Sequence, residues 1–365
     1  MNKPKKPAIA FFGLKGLPAQ GGTAAVGENI IRQLNQQYAF TVYATATHAT
    51  QKEPIPMVRQ FIVKALPSRK LNIFYYNLVS ALHALLFGNY QLVHTHQIDI
   101  AFIIPLLRLR YKVVATHHGK TYEVDKWSKT MRRFFKWSER LMLRHASRVT
   151  FVANTEREDL LQQYPGNYRF IPNGINRPEK TEEPNRKEYL LFAAGRVIPH
   201  KGCHIFLEAL KKIGYQNKVI VAGDYQSIPA YRDKLLSYRD TLDIEFLGMV
   251  RQKETLQQLV REARLFVFPS FYEAMSMMLL EVAAEKTPLV CSDIRENRAV
   301  FNHQEVLFFK TGDTDDLASK ISEALANPQE AAERAEKAYQ KLITHYCWDT
   351  IALQYKEVYE GLMDC

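Results

Sequence analysis

Two glutamates eight positions apart, Glu273 and Glu281, lie in the segment Pro269-Ser270-Phe271-Tyr272-Glu273-Ala274-Met275-Ser276-Met277-Met278-Leu279-Leu280-Glu281, directly after an apolar stretch. With one carboxylate on a loop and the other about two helical turns later, the pair can accept hydrogen bonds from separate hydroxyl groups of one extended ligand. The small residues between them open a helix whose backbone donors, from Met275 through Ser276 and Met277 to Met278, suit phosphate oxygens. Glu281 stands among Met278, Leu279, Leu280, Val282 and Ala283, so its charge is expected to have a partner.

Earlier in the chain, Gly195-Arg196-Val197-Ile198-Pro199-His200-Lys201-Gly202 sets two cations five positions apart on a loop closed by glycine. Such cations can flank a diphosphate and offset the charge that develops on a leaving nucleotide; taken alone, the octapeptide also fits a solvated basic loop. The first apolar stretch runs into Gly13-Leu14-Lys15-Gly16-Leu17-Pro18-Ala19-Gln20-Gly21-Gly22-Thr23, which is either a phosphate loop with Gly21 and Gly22 near the ligand or a turn that needs glycine conformations. It matches neither the Walker nor the G-x-G-x-x-G pattern. Histidines end two further apolar stretches: His94 and His96 in one, His117 and His118 before Gly119 in the other.

The elements that must position these residues alternate. Short apolar runs at Ala8 to Phe12, Phe40 to Ala44, Gln91 to His94, Lys112 to Thr116 and Arg148 to Val152 read as parallel strands covered on both faces. Helical spacing fills the gaps, as in Ala24 to Gln37 and Asn72 to Phe87. A polar stretch, Arg177 to Lys187, reads as a linker, after which the alternation restarts. Strands are expected at Tyr189 to Ala194, Lys218 to Ala222, Ile244 to Phe246, Leu265 to Phe268 and Pro288 to Ser292, and helices at Cys203 to Lys212 and Thr255 to Glu262. The fold class is α/β, two doubly wound Rossmann-like domains facing a central cleft. Four scattered cysteines, Cys203, Cys291, Cys347 and Cys365, indicate reduced thiols.

The loop G-R-x-x-x-x-K-G followed by E-x7-E, at this separation, resembles the donor-binding half of the retaining glycosyltransferases of family 4, a GT-B family. Ile171-Pro172-Asn173-Gly174, Phe246-Leu247-Gly248 and Trp348-Asp349 extend the resemblance over nearly the whole chain. The N-terminal glycine loop also resembles rhamnosyltransferase-like members. The resemblance implies an acceptor domain over 1–170, a donor domain over 171–347, and a last helix, 348–365, packing back on the first domain. It implies that Arg196 and Lys201 hold the diphosphate of a nucleotide sugar of UDP or GDP type, that Glu281 binds the ribose, and that Glu273 contacts the transferred sugar. His118 matches the family's histidine beside sugar and acceptor. Ala274 and Ser276 replace the usual glycines within the motif, and Thr287 replaces the one before the next strand. No D-x-D metal site is present; Asp313, Asp315 and Asp316 are expected to start a helix, so neither a metal nor a cofactor is expected.

Charge separates the halves. Residues 1–170 hold 24 Lys and Arg against 9 Asp and Glu, a net +15, which leaves −4 for the remainder of a chain with net charge +11. In Trp127 to Arg148, an apolar stripe of Trp127, Met131, Phe134, Phe135, Leu141 and Met142 opposes Lys129, Arg132, Arg133, Lys136, Arg140 and Arg144, with Trp137 at the boundary. Arg132, Arg133 and Lys136, with Lys15 and Lys120, are the residues expected to meet a glycan or lipid-linked acceptor or an anionic membrane surface. No apolar run reaches the length of a membrane span, so the protein is placed in the cytoplasm, soluble or peripheral at the inner face of the membrane. A nucleotide-sugar epimerase and a nucleic-acid-binding protein are the rival classes. The first lacks a use for E-x7-E, and the second lacks a recognised reading module, so nucleic acid is not an expected partner.

Overall fold

Near-continuous apolar runs flanked by amphipathic segments build two parallel sheets in the computed structural model, which describes residues 6–19, 21–49, 55–123, 127–177 and 185–364. The middle of the expected linker and Cys365 lie outside the described residues. The chain divides into two compact units, residues 1–174 with 348–365, and residues 175–347.

Unit 1 carries strands β1 (Ala8–Lys15), β2 (Ala39–Thr45), β3 (Val58–Val63), β4 (Leu92–His96), β5 (Lys112–His117), β6 (Arg148–Phe151) and β7 (Tyr168–Phe170) in the order β3-β2-β1-β4-β5-β6-β7. Its helices are α1 (Gly22–Leu34), α2 (Arg69–Phe87), α3 (Ile104–Leu107), α4 (Lys129–His145) and α5 (Asn154–Gln163). Every neighbouring strand pair is parallel, and the helices that follow β1, β3, β4, β5 and β6 lie on the faces of the sheet. This buries β1 and β4 on both faces, which is why their sequences read as unbroken apolar runs. Helix α13 (Trp348–Met363) belongs to this unit: Trp348, Ile351, Tyr355 and Tyr359 are fully buried, and Tyr38 meets the Tyr359 ring edge-on at 5.9 Å.

Unit 2 repeats the pattern with six strands: β8 (Lys187–Arg196), β9 (Val219–Asp224), β10 (Ile244–Gly248), β11 (Ala263–Phe268), β12 (Leu289–Ser292) and β13 (Leu307–Phe309), ordered β10-β9-β8-β11-β12-β13. Its helices are α6 (Cys203–Lys212), α7 (Pro229–Leu236), α8 (Lys253–Glu262), α9 (Met277–Ala284), α10 (Arg295–Val300), α11 (Thr314–Ala326) and α12 (Pro328–His345). Asp313 caps α11, its carboxylate accepting from the amides of Asp315 and Asp316, so these acids do start a helix. In each sheet the order reverses between the first strand and the fourth, and at such a point the helices leave to opposite faces and open a crevice at the strands' carboxyl ends. Cys203, Cys291 and Cys347 are buried thiols.

Candidate functional site

In unit 2 the crevice lies between the ends of β8 and β11, which are hydrogen-bonded neighbours. Arg196 ends β8 with its side chain exposed and no bonded partner among the described residues. A short 3-10 turn, Pro199–Lys201, then leads to Gly202 at φ +73°. A Cβ on Gly202 would stand 2.0 Å from the carbonyl oxygen of Pro269, so only glycine lets the two loops approach this closely. The amide of Phe271 donates to the His200 carbonyl at 2.8 Å and joins the loops further. From below, the Ser292 hydroxyl donates to the Ser270 carbonyl at 2.6 Å, and Asn297 donates to the Ser292 carbonyl at 2.9 Å.

This bracing brings two of the expected residues together: Lys201 Nζ lies 2.5 Å from Glu273 Oε1, with both side chains largely buried. Ser276 caps α9, its hydroxyl accepting from the Leu279 amide at 3.4 Å, and Ser276, Met277 and Met278 remain half-buried at the helix start. The backbone at these positions needs no glycine: Ser276 is extended and neither Ala274 nor Ser276 has a positive φ. Glu281 corrects one expectation. Burial raises its carboxyl above the usual range, the charge of Lys253 acts against this and Glu285 adds to it, yet no hydrogen bond or ion pair engages it among the described residues. A half-buried carboxylate with open lone pairs can receive ligand hydroxyls.

In unit 1 the end of β1 passes very near β4. Gly13 has φ +90°, and a Cβ there would meet the His96 carbonyl oxygen at 2.2 Å. Beyond it, the amide of Leu17 donates to Gln60 at 2.7 Å and that of Ala19 to the Glu28 carboxylate at 2.6 Å. These loop donors are thus taken by side chains, one of them anionic, which disfavours a phosphate at that point; Gly21 and Gly22 follow as the start of α1. Lys15 lines a cavity of about 770 Å³ together with His48, Asn72, Tyr76, Asn77 and Asp99. The Asn77 carboxamide oxygen is buried and unpaired among the described residues, and burial with the nearby Lys15 charge holds His48 below the usual imidazole range.

The histidines form two linked groups. His118 Nε2 and His96 Nδ1 are 2.9 Å apart, and His94 bonds to Tyr359 at 2.8 Å and to Thr116 at 2.7 Å. His96 Nε2 is buried without a partner among the described residues. A lone pair is the less costly orphan, which favours the assignment with the proton of His96 on Nδ1, donated to His118 Nε2, and that of His118 on Nδ1. Burial and the charge of His117 depress His118 to about 3, which keeps it neutral. His117 behaves oppositely. Burial alone would lower it, but hydrogen bonds to Glu139 at 2.9 Å and an ion pair with Glu156 at 3.2 Å raise it to about 9. Tyr122 donates to the same Glu139 at 2.9 Å, and the Lys120 amide donates to Glu156 at 3.2 Å, so the buried charges hold the turn that bears His118. Reasoning from sequence missed this cluster, although Glu139 on the apolar side of α4, one turn from Phe135, was a legible signal.

The basic residues are spread out. Lys120 pairs with Asp159 at 3.9 Å, Arg132 donates to the Trp127 carbonyl at 3.2 Å, and Lys136 lies over the Tyr122 ring at 5.1 Å. Arg133 is exposed.

Comparison with known proteins adds to this geometry. Residues 176–341 match the family described as glycosyl transferases group 1, and residues 20–177 match glycosyltransferase family 4. A glycogen synthase of Mycobacterium tuberculosis is 30% identical over 52% of this chain and 47% of its own length. The UDP-Gal:α-D-GlcNAc-diphosphoundecaprenol α-1,3-galactosyltransferase of Escherichia coli is 24% identical over 62% of this chain and 64% of its own. The chain thus spans about half to two thirds of these relatives. Among solved structures, a sucrose-phosphate synthase from Thermosynechococcus elongatus superposes with a TM-score of 0.81 at 21% identity, covering 98% of this chain and 100% of that one. An Anabaena protein in complex with UDP-glucose superposes with a TM-score of 0.78 at 17% identity, covering 97% and 99%. These likenesses are of fold.

Proposed function

The chain belongs to the glycosyltransferases, family 4 over its first half and group 1 over its second, and on that premise we propose that it moves a sugar from a nucleoside diphosphate to a glycan or lipid-linked acceptor with retention of anomeric configuration. The observation that carries the reading is the Lys201–Glu273 pair, 2.5 Å apart at the start of α9, where the unit 2 sheet reverses its order. Arg196, Lys201 and the amides opening α9 suit the diphosphate, and the open carboxylate of Glu281 suits the ribose. Glu273 holds Lys201 with one oxygen, which leaves the other for hydroxyls of the transferred sugar. In the transfer step the bond from the anomeric carbon to the phosphate oxygen breaks as the acceptor oxygen bonds to the same face. The acceptor proton passes to the departing phosphate, whose growing charge Arg196 and Lys201 offset, so the reading needs no resident metal.

Unit 1 then serves the acceptor, with Lys15 in its cavity and His118 as a neutral hydrogen-bond donor. The net +15 of residues 1–170 supports a lipid-linked acceptor and work at the inner, anionic face of a membrane. The diphosphoundecaprenol-linked acceptor in the name of the Escherichia coli relative supports the same choice. The test incubates purified chain with UDP- and GDP-sugars and a detergent-dispersed, diphosphate-linked lipid glycan. Nucleoside diphosphate release that depends on acceptor, with the donor's anomeric configuration in the product, is expected. Release of no nucleotide from any pairing overturns the reading, and an inverted product overturns retention.

A further inference from the structure

Helix α2 departs from the usual surface helix. Between Leu71 and Phe87 it contains no Asp, Glu, Lys or Arg, and each position it exposes is a large apolar or aromatic residue: Leu71, Tyr75, Leu78, Leu82, Leu86 and Phe87. The first five recur at helical spacing and form one stripe along the outer face. Leu71 is 63%, Leu86 70% and Phe87 76% exposed, so the patch is on the order of 500 Å², the size of the largest apolar patch on a typical monomer, which is often a functional surface. No helix among the described residues is long and apolar enough to cross a membrane.

The border of the stripe is basic. At its C-terminal end the turn after α3 presents Arg108, Leu109 and Arg110, all exposed, and the Arg110 guanidinium is anchored on the Leu85 carbonyl of α2. Along its flank, Phe74 of α2 stacks edge-on against Phe134 of α4 at 5.1 Å, and Phe134 lies 5.8 Å from the half-exposed Trp137. There α4 exposes Lys129, Arg133 and Arg144, which form no ion pair among the described residues. From Leu71 to Phe87 and across α4 the only carboxylate is Glu139, and it is buried against His117.

We propose that the outer face of α2 lies in the interface of an anionic phospholipid bilayer, its apolar stripe among the acyl chains and the cations of α4 and of the Arg108–Arg110 turn at the headgroups. A second copy of this chain fits less well, because a symmetric contact through α2 would bring two basic borders together. The inner face of the same helix contributes Asn72, Ile73, Tyr76 and Asn77 to the cavity that holds Lys15. Resting on the lipid-linked acceptor reading, this placement brings that cavity to headgroup level, where a lipid-borne diphosphate emerges.

The experiment compares the full chain with Leu78→Glu/Leu82→Glu, two exposed positions whose change leaves the core intact. A second variant, Leu86→Glu/Phe87→Glu, repeats the test in the last turn of the helix. Each protein is sedimented with vesicles of phosphatidylcholine alone and of phosphatidylcholine mixed with phosphatidylglycerol, while quenching of Trp137 by brominated lipid reports depth. Salt-sensitive binding to the mixed vesicles, reduced roughly tenfold or more in both variants, is expected. Unchanged binding by either folded variant overturns the proposal, as does equal binding to neutral vesicles. A wild-type dimer that becomes monomeric in the variants, with no vesicle binding, assigns the face to self-association instead. Failure of the transferase reading would show separately, as absent sugar transfer with vesicle binding intact.

Discussion

Replacing His117 by Gln removes the positive charge between two buried carboxylates without opening a large cavity. In the folded protein His117 is raised from 6.5 to about 9 by Glu139 and Glu156, which outweigh its burial. A group raised on folding contributes stability that is complete below its unfolded value and is lost as pH climbs through the folded one. The difference corresponds to about 3 kcal/mol at pH 6 and fades above about pH 9. The variant should therefore melt roughly 6–12 °C lower near pH 6, a shift scaled for a unit of this size, and the gap should close toward about pH 10. All three tryptophans, Trp127, Trp137 and Trp348, belong to unit 1, so tryptophan fluorescence follows this unit selectively. Since Glu156 also holds the Lys120 amide, the turn bearing His118 should loosen and sugar transfer should fall with stability. An equal loss at pH 6 and pH 10 would refute the reasoning, because it would mean that packing, not charge, makes His117 matter.

Lys201→Ala should weaken nucleoside diphosphate binding tenfold to a hundredfold, about 1.5–3 kcal/mol, and destabilise unit 2 by about 1–3 kcal/mol because the largely buried Glu273 loses its ion pair; calorimetric titration and urea unfolding measure the two. Glu281→Gln should reduce affinity for free nucleotide, and wild-type affinity should fall with acid over a range above that of an ordinary glutamate, following its raised carboxyl. Glu273→Gln should act more on turnover than on nucleotide affinity, and equal effects on both would argue against separate roles. Gly202→Ala forces a Cβ to 2.0 Å from the Pro269 carbonyl at φ +73°, so it should cost about 1–3 kcal/mol and lower donor affinity through the displaced loop; unchanged nucleotide binding would show that the two loops need not touch.

How much of this was legible varied with how local each feature is. Buried parallel strands such as β1 and β11 announce themselves because both faces are covered and the run is continuous. Strands β7 and β13 span three residues each, too short for any period to register, and β3 alternates exposed Arg59 with buried Gln60 at the sheet edge. The Glu273 and Glu281 spacing was readable because loop and helix are contiguous. The bonds from His117 to Glu139 and Glu156 were not, since they join three separate elements. Helix α2 shows a deeper limit: a helix without a charged residue from Leu71 to Phe87 says that its faces need cover, while only the three-dimensional structure shows which face has none.

The central claim is that unit 2 holds a nucleoside diphosphate through Lys201 and its neighbours, and the most direct measurement is thermal unfolding of the full chain with UDP or GDP added. One of the two, at about a hundred times its dissociation constant, should stabilise the chain by about 2.7 kcal/mol, and Lys201→Ala should lose most of that gain. If neither nucleotide shifts the transition of the wild-type chain, or if Lys201→Ala responds as the wild type does, the assigned donor site is wrong.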